Sequence, residues 1–449
     1  MTTDQHPDAF AALADLIGDE EEFARGGREL DPRARRRRRI RRLIVAMVVI
    51  LILVGVPTGY VGWALAAPLA APEVSWQKPA VPQGTAAAIA LPSEGATAMS
   101  VAGADDYLGP DASGVWTASG ANEPRPIASV TKIITALVIL DRIPLADATA
   151  RGPTVTFGKA AHDLYDKYYV MGATIRPMPT GTQMSLRDAL ATMLIPSACN
   201  YAEALSTWVF GSQWAFLQAT RSWLAANGLN DTVVVEPTGI SSRNVSTTSD
   251  LLKIGKLAAS HPTIARIAAT SSLYVEGPGA MGNTNSLLGS GGITGLKTGN
   301  LGPGNFNLLY TATLDVGMPQ PLSVVGVMLG GTSRESVNHD VLALLDSIRA
   351  GFQTVPVASA GAQVGTLTTP WGGEAEMVLD GTASLFTWSD TPITMAMETK
   401  TPVTYQDGEV VGTVTWTAGP NSATVPIVIE GAIEPATEWW RLTHPGELG

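Results

Sequence analysis

The longest uninterrupted run of apolar residues lies near the N-terminus of the chain. Leu43 to Ala67, "LIVAMVVILILVGVPTGYVGWALAA", contains no charged residue. A helix of about 20 apolar residues is long enough to cross the hydrocarbon core of a bilayer. The run therefore predicts a transmembrane anchor over residues 43–67, which Pro57 and Gly59 end or kink.

The residues that flank this run predict its orientation. Arg33 to Arg42, "RARRRRRIRR", comes directly before it, and clustered arginines stay on the cytoplasmic side of a membrane. Everything after residue 68 then lies outside the membrane. Two alternatives stay open, a buried helix of a soluble protein and a cleavable signal peptide, since Ala64 to Ala66 ("ALA") resembles a cleavage site. The long polar segment before the run favours the uncleaved anchor.

The segment before the anchor, residues 1–42, is predicted to be a largely disordered cytoplasmic tail. Within it, "DAFAALADLIG" places Phe10, Leu13, Leu16 and Ile17 near one face of a helix. Two interpretations follow: a helix that binds a cytoplasmic partner, or a transient helix without a partner.

Beyond the anchor, the pattern of apolar positions changes twice. Residues 68–84 resemble a Pro-rich linker, and residues 85–355 mix both periodicities. Strands are predicted at "TAAAIAL", "TAMSVAG", "FNLLYTATL" and "LSVVGVMLG", and helices at "SVTKIITALVIL", "SLRDALATMLI", "SQWAFLQATRSWLAANG" and "ESVNHDVLALLDSIRAGF". Residues 356–449 have short β-type runs such as "ATVPIVIEGAI" and no helical period, which predicts a second, all-β domain, a small sandwich.

The composition excludes several classes of function. The 449 residues carry a net charge of -11, and a nucleic-acid partner would need a basic face. The single cysteine, Cys199, allows no internal disulfide. No H-E-x-x-H motif and no paired Cys/His spacing occurs, so we predict neither a metal site nor another cofactor.

A candidate nucleophile lies at the start of the most apolar predicted helix. Ser129 and Lys132 form a Ser-x-x-Lys motif, and residues i and i+3 share one face of a helix. Desolvation lowers the pKa of a lysine, which can then take the proton of a serine hydroxyl. The chain has a second copy, Ser75 to Lys78, which we attribute to chance because no predicted helix supports it.

Two further motifs follow in the chain. Lys297, Thr298 and Gly299 are preceded by Leu296, whereas a phosphate-binding P-loop requires glycine before the lysine. On the edge of a strand, lysine and threonine can instead bind a carboxylate, and glycine allows a ligand to lie close to the strand. Ser197 lies between the other two motifs. Ser-x-x-Lys, a serine motif and Lys-Thr-Gly, in that order, are typical of penicillin-recognising serine enzymes.

With these motifs, the chain resembles the D-alanyl-D-alanine carboxypeptidases, which are low-molecular-weight penicillin-binding proteins. The resemblance covers roughly residues 83–449. It rests on the stretches "IASVTKIITALVIL", "SLRDALATMLIPSACNYAEAL", "EPTGISSRNVSTTSDLLKIG", "NTNSLLGSGGITGLKTGNL" and "GAIEPATEWWRLTHP". It implies an α/β fold with a mixed, largely antiparallel sheet flanked by helices, followed by a β-rich domain.

The resemblance also implies a function and a site. The enzyme would act on peptidoglycan stem peptides, with β-lactams as inhibitors. Ser129 attacks the carbonyl between the last two D-alanines, Lys132 takes its proton, and Ser197 relays a proton to the leaving amine. The backbone amides of Ser129 and Asn300 would form the oxyanion hole, while Lys297 and Thr298 hold the terminal carboxylate. The implied substrate-binding residues are Cys199, Asn200, Lys297, Thr298, Gly299 and Asn300.

Cys199 departs from the family pattern, because the family's second motif is usually Ser-x-Asn. We align Cys199 with the asparagine, although Asn200 follows directly. A thiol donates and accepts hydrogen bonds more weakly than an amide does. Cys199 as the nucleophile, or as a packing residue only, are the alternative interpretations.

The altered motif leaves other functions open beside the carboxypeptidase. These are a transpeptidase of the same family, a catalytically weak envelope protein that binds peptidoglycan or a partner, and a β-lactamase or esterase on the same fold.

Overall fold

A computed structural model describes residues 32–448. The segment "DAFAALADLIG" and its predicted partner lie outside the described residues. The helices are α1 Pro32–Ala66, α2 Asp105–Leu108, α3 Thr131–Arg142, α4 Lys159–His162, α5 Leu164–Val170, α6 Leu186–Leu194, α7 Cys199–Phe210, α8 Gln213–Ala226, α9 Thr248–Ser260, α10 Pro262–Ala268, α11 Arg334–Gly351 and α12 Glu438–Thr443.

The strands fall into two groups along the chain. The first group is β1 Glu73–Trp76, β2 Ala96–Ala102, β3 Thr117–Ser119, β4 Arg125–Pro126, β5 Thr154–Phe157, β6 Thr182–Ser185, β7 Val245–Ser246, β8 Ser272–Val275, β9 Gly279–Gly282, β10 Ile293–Asn300, β11 Phe306–Leu314 and β12 Leu322–Gly331. The second group is β13 Phe352–Ala358, β14 Gln363–Thr368, β15 Glu374–Leu379, β16 Ala383–Trp388, β17 Ile393–Thr399, β18 Val410–Ala418 and β19 Asn421–Glu430.

A five-stranded sheet, in the order β10-β11-β12-β2-β3, organises the first part of the chain. Each neighbouring pair of its strands is antiparallel. Helices α3, α6, α7 and α9 contribute to the core on one face, and α11 packs on the other face. The predicted α/β fold with a largely antiparallel sheet between helices is therefore confirmed.

Helix α3 lies at the centre of this architecture. Its residues from Thr131 to Leu140 are all buried, as expected for a helix that is apolar on every side. The buried hydroxyl of Thr135 donates to the carbonyl of Pro237 at 2.8 Å. The residue at the start of α3 is therefore held by a rigid element in the middle of the core.

The C-terminal region is β-rich, as predicted. Strands β1, β14, β15, β19, β18 and β17 form one sheet in that order, and β13 pairs with β16. Side chains of both sheets share one core, which contains Val355 and Leu385 from the small sheet and Val414 and Ile427 from the large one. The boundary predicted at residue 355 falls inside β13, because the chain enters this region directly from α11.

The segment predicted as a Pro-rich linker contains β1. Its residues Glu73–Trp76 pair with β14, so this part of the linker is an added strand of the C-terminal sheet. By contrast, the strand predicted at "TAAAIAL" does not form. There the amide of Ala87 donates to Ser389 Oγ at 2.8 Å and that of Ala90 to Ser347 Oγ at 3.1 Å, so side chains satisfy the backbone.

Helix α1 contains the predicted anchor. Its residues Arg33–Ala66 include an 18-residue window with a mean hydropathy of 2.5, none of it buried in the structure. By length and composition, this helix could cross a membrane. Its C-terminal end contacts α12: Arg441 donates to the carbonyls of Leu65 at 3.2 Å and Ala67 at 2.8 Å, and Tyr60 donates to that of Leu442 at 2.7 Å.

A cross-strand pair at the centre of the sheet yields a stability prediction. Gly326 on β12 lies opposite Tyr310 on β11, and a Cβ at Gly326 would lie 2.2 Å from the Tyr310 ring. Because the ring is fully buried, Gly326→Ala should overpack this site and destabilise the fold by roughly 2 kcal/mol. We expect the apparent Tm in a thermal unfolding scan to fall by about 4–8 °C.

The matched control is Gly282→Ala on β9, where a Cβ would meet no atom within 4 Å. An equal loss of Tm in both variants would contradict the overpacking explanation.

Candidate active site

The candidate nucleophile lies in a turn that leads into α3. Ser129 occupies the 3-10 turn Ala128–Val130, directly before α3, and its side chain is half-buried. Ala128 has a φ of +52°, a left-handed conformation that is uncommon for a residue with a Cβ. Surrounding structure must hold such a residue in place.

Two glycines allow neighbouring segments to close on this turn. A Cβ at Gly239 would lie 1.8 Å from the carbonyl oxygen of Ala128, and one at Gly299 would lie 2.7 Å from that of Ile127. The sequence suggested that Gly299 lets a ligand approach the strand. In the structure, Gly299 lets strand β10 itself lie against the turn that carries Ser129.

Lys132 connects the turn to two other segments. The side chain is fully buried, and its Nζ donates to Ser129 Oγ at 2.9 Å, Thr238 O at 2.6 Å and Cys199 Sγ at 3.4 Å. An amine at this distance from a serine hydroxyl is in position to take its proton.

The loop that supplies the Thr238 carbonyl is organised by Glu236. The carboxylate accepts from the amides of Thr238 and Gly239 at 2.7 Å each, from that of Ser241 at 3.2 Å and from Asn244 Nδ2 at 2.8 Å. Several donors to one carboxylate fix the backbone of a loop. Sequence analysis assigned Glu236 no role, although it directly precedes the "PTG" of a quoted stretch.

The second motif contributes Ser197 and Cys199 to the lining of the cavity, and Cys199 also contacts Lys132. Ser197 has a φ of +66° and is only 6% exposed. Its Oγ is buried and has no hydrogen-bond partner among the described residues. Such a hydroxyl is free to bond to a ligand. Cys199 begins α7, and its amide donates to Thr174 O at 2.8 Å.

Asn200, predicted to bind substrate, is not among the residues that line the cavity. Its Nδ2 donates to Arg176 O at 2.7 Å, and its Oδ1 accepts from the amide of Arg176 at 3.1 Å. Both ends of the amide group are therefore used to hold the segment around Arg176. Cys199, rather than Asn200, is the residue of this motif that lies beside Ser129 and Lys132.

The Lys-Thr-Gly strand forms the other wall. Lys297 is buried, and its Nζ donates to Thr284 Oγ1 and to Thr298 O, both at 3.2 Å. Burial lowers the pKa of Lys297 well below its usual range, and Lys132 and Arg334 lower it further. The hydroxyls of Thr284 and Thr298 lie 2.7 Å apart. An anion at this wall would be favoured because it relieves the repulsion between the cations.

Arg334 completes this wall, and sequence analysis missed it. It is the first residue of α11, and its Nη1 donates to Thr284 O at 2.7 Å. Guanidinium groups match carboxylates in shape and charge. No local motif marks Arg334 in the sequence, because its neighbours at the site come from distant segments.

These walls enclose a cavity of about 340 Å³. Of the predicted site residues, Ser129, Ser197, Cys199, Thr298, Gly299 and Asn300 line it. Lys132 and Lys297 lie behind the lining, and Asn200 does not contribute to it. Arg334 lines the cavity, and none of its described lining residues is acidic. The site therefore combines a serine, a base and a positively charged wall.

The family described as D-alanyl-D-alanine carboxypeptidase matches residues 108–329. A D-alanyl-D-alanine endopeptidase of Escherichia coli K12 is 33% identical over 147 residues, 32% of this chain and 44% of that protein. The D-alanyl-D-alanine carboxypeptidase DacD of Salmonella typhimurium is 26% identical over 282 residues, 62% of this chain and 70% of the relative. The chain thus spans less than half the length of the first relative.

Among solved structures, penicillin binding protein 6B from Escherichia coli is similar in fold. The TM-score is 0.50 with 20% sequence identity, over 78% of this chain and 99% of that one.

The position of Cys199 gives a prediction about the second motif. In Cys199→Asn, the side-chain oxygen could accept from Lys132 more strongly than sulfur does, and the new amide could donate into the cavity. We expect the rate at which a fluorescent penicillin labels Ser129 to stay the same or to rise. Stopped-flow or gel-based labelling of the purified chain measures this rate.

Cys199→Ala is the matched control, since it removes the acceptor without supplying an amide. Loss of labelling in a folded Cys199→Asn protein would show that Cys199 does not occupy the asparagine position.

Proposed function

We propose, from the premise that this chain belongs to the D-alanyl-D-alanine carboxypeptidase family, that it is a membrane-anchored serine-type D-Ala-D-Ala carboxypeptidase. Its substrates would be peptidoglycan stem peptides, and β-lactams its inhibitors. The observation that carries the proposal is the 2.9 Å contact between Lys132 Nζ and Ser129 Oγ at the edge of a positively charged cavity.

The first step is the acylation of Ser129. Lys132 accepts the hydroxyl proton while Ser129 Oγ bonds to the carbonyl carbon of the penultimate D-alanine. The carbon–nitrogen bond then breaks, and the leaving amine of the last D-alanine takes up a proton. Ser197 is suited to relay that proton, because it lines the cavity and its Oγ has no hydrogen-bond partner among the described residues. Water releases the acyl group and restores the enzyme.

The terminal carboxylate of the peptide binds at the opposite wall. The cavity is lined there by Thr284, Thr298 and Arg334. Lys297, which is not part of the lining, donates from Nζ to Thr284 Oγ1. In this proposal, the amides of Ser129 and Asn300 stabilise the oxyanion. A substrate without the free carboxylate would lose its partner at this wall.

The decisive experiment measures D-alanine release from a peptide that ends in D-Ala-D-Ala. We expect Ser129→Ala to lower kcat by roughly 10³-fold or more, because the acyl-enzyme cannot form. The chain offers a matched control in Ser75→Ala, which alters the serine of the other Ser-x-x-Lys sequence, on β1. The control should release D-alanine at the wild-type rate. A folded wild-type protein that releases none, or a fully active Ser129→Ala variant, would overturn the proposal.

The anchor part of the proposal rests on α1. This helix has the length and composition of a membrane span, and arginines precede its apolar part. We propose a single-pass anchor with residues 1–42 in the cytoplasm and the catalytic domain outside, where peptidoglycan is found.

The topology can be tested with engineered cysteines, because the native Cys199 is buried. In intact cells without an outer membrane barrier, a membrane-impermeant maleimide should label Glu434→Cys and leave Thr3→Cys unlabelled until the cells are lysed. The wild-type chain gives the background. Labelling of Thr3→Cys in intact cells would contradict the orientation.

A further inference from the structure

A second cavity lies next to the catalytic one. It has a volume of about 380 Å³, and Met171 and Ile240 line both cavities. Its other lining residues come from α5, α7 and α8 and from the loop that Glu236 organises. The two cavities therefore adjoin each other at Met171 and Ile240, and we call the pair the groove, with Ser129 in its first part.

The two parts of the groove carry opposite charge. The catalytic cavity is lined by Arg334 and by no acidic residue among those described. In the second cavity, the charged lining residues are Lys167, Glu203 and Glu236, which gives a net charge of about -1 when all are ionised. Glu236 forms no ion pair within residues 32–448. A ligand that complements the whole groove carries an anion at one end and a cation at the other.

The second cavity also has acceptors that lack donors. Glu203 Oε2 accepts from Lys167 Nζ at 2.5 Å and from the hydroxyl of Tyr168, whereas Oε1 has no donor among the described residues. Gln213 uses its Nε2 on Glu203 O, Ser206 and Thr207, and its buried Oε1 has no partner in the described part of the chain. The carboxylate oxygen without a donor, Glu203 Oε1, suits a primary ammonium group, which has three donors and no acceptor.

Lys167 shows that Glu203 can hold a primary ammonium. The side chain of Glu203 is 15% exposed and that of Lys167 is 48% exposed. A half-exposed lysine can move into solvent at little free-energy cost. The ammonium of Lys167 therefore competes for Glu203 with any ligand that enters the cavity.

The position of Glu203 relates the second cavity to the reaction. Cys199 and Glu203 are four residues apart on α7 and share one face of it, with a rise of about 6 Å between them. A peptide residue extends over about 3.5 Å. A long side chain on the residue before D-Ala-D-Ala can therefore reach from the catalytic cavity towards Glu203.

From these observations we propose that the second cavity binds the side-chain ammonium of the diamino acid that precedes D-Ala-D-Ala, with Glu203 as the residue that determines this specificity. The inference rests on the proposed function, since it extends the same substrate. The bipolar groove then recognises a peptide by its terminal carboxylate and by its amino group.

The test compares two tripeptides with the full-length chain in detergent. Nα-acetyl-L-lysyl-D-Ala-D-Ala has a free ε-ammonium, and Nα,Nε-diacetyl-L-lysyl-D-Ala-D-Ala has none. We expect kcat/KM to favour the free ammonium by about fivefold in the wild type, as a charge-assisted hydrogen bond weakened by competition should give. Glu203→Gln should bring the ratio to about one, whereas Lys167→Met should raise it because the competing ammonium is gone.

Two controls make the same charge changes outside the cavity. Asp166→Asn removes an exposed carboxylate next to Lys167, and Lys159→Met removes an exposed lysine paired with Asp163. Both should keep the wild-type ratio.

The outcomes separate this inference from the proposed function. If both peptides are cleaved equally well by the wild type, the ammonium site is wrong and the carboxypeptidase stands. If neither is cleaved, the proposed function fails. Should Glu203→Gln not fold, Lys167→Met decides: a ratio equal to or below that of the wild type overturns the inference.

Discussion

The buried amine of Lys132 is the interaction on which the geometry of the site depends. An amine removed from water is tolerated only where hydrogen-bond acceptors surround it. Its acceptors come from three segments that are far apart in the chain: Ser129 Oγ, Thr238 O and Cys199 Sγ. Satisfying one side chain therefore brings together the nucleophile turn, the loop organised by Glu236 and the start of α7.

Close backbone packing around Ala128 is the second constraint, and it follows from the first. The loop can offer its Thr238 carbonyl to Lys132 only if the next residue, Gly239, lies against Ala128. Gly299 makes the same approach from β10. The antiparallel partners β11 and β12 hold β10 in register, so the sheet fixes the distance between the positively charged wall and Ser129.

The sequence predicted those parts of the site that depend on local structure. The pairing of Ser129 with Lys132 requires only that one helix begins there, and the "LKTG" run is a strand in itself. Cys199 and Asn200 differ in position because neighbouring residues of a helix point about 100° apart. In the structure Cys199 lines the cavity and Asn200 does not, as expected if Cys199 takes the asparagine position.

Other features could not be predicted because they depend on contacts between distant segments. Arg334 is held at the site by the hydrogen bond that it donates to the carbonyl of Thr284, 50 residues earlier in the chain. Strand β1 has four residues, which is too short for a periodic signal, and it forms because the exposed edge of β14 is available. The periodicity of apolar residues identifies helices and strands. It does not indicate which strand edges pair with each other.

Helix α1, the proposed anchor, has two connections to the β-rich region, and one of them is the short strand β1 in the linker. Arg441 on α12 donates to backbone carbonyls at the C-terminal end of α1, which otherwise lack partners at a helix end. A few residues later the chain joins the C-terminal sheet as β1. Helix α1 is therefore connected twice to the β-rich region, by its contacts with α12 and through β1. Trp439, on the same helix α12, is 75% exposed, and tryptophan favours the interface between membrane and water. With α1 as the membrane span, the β-rich region would be the part of the described chain that lies next to the bilayer.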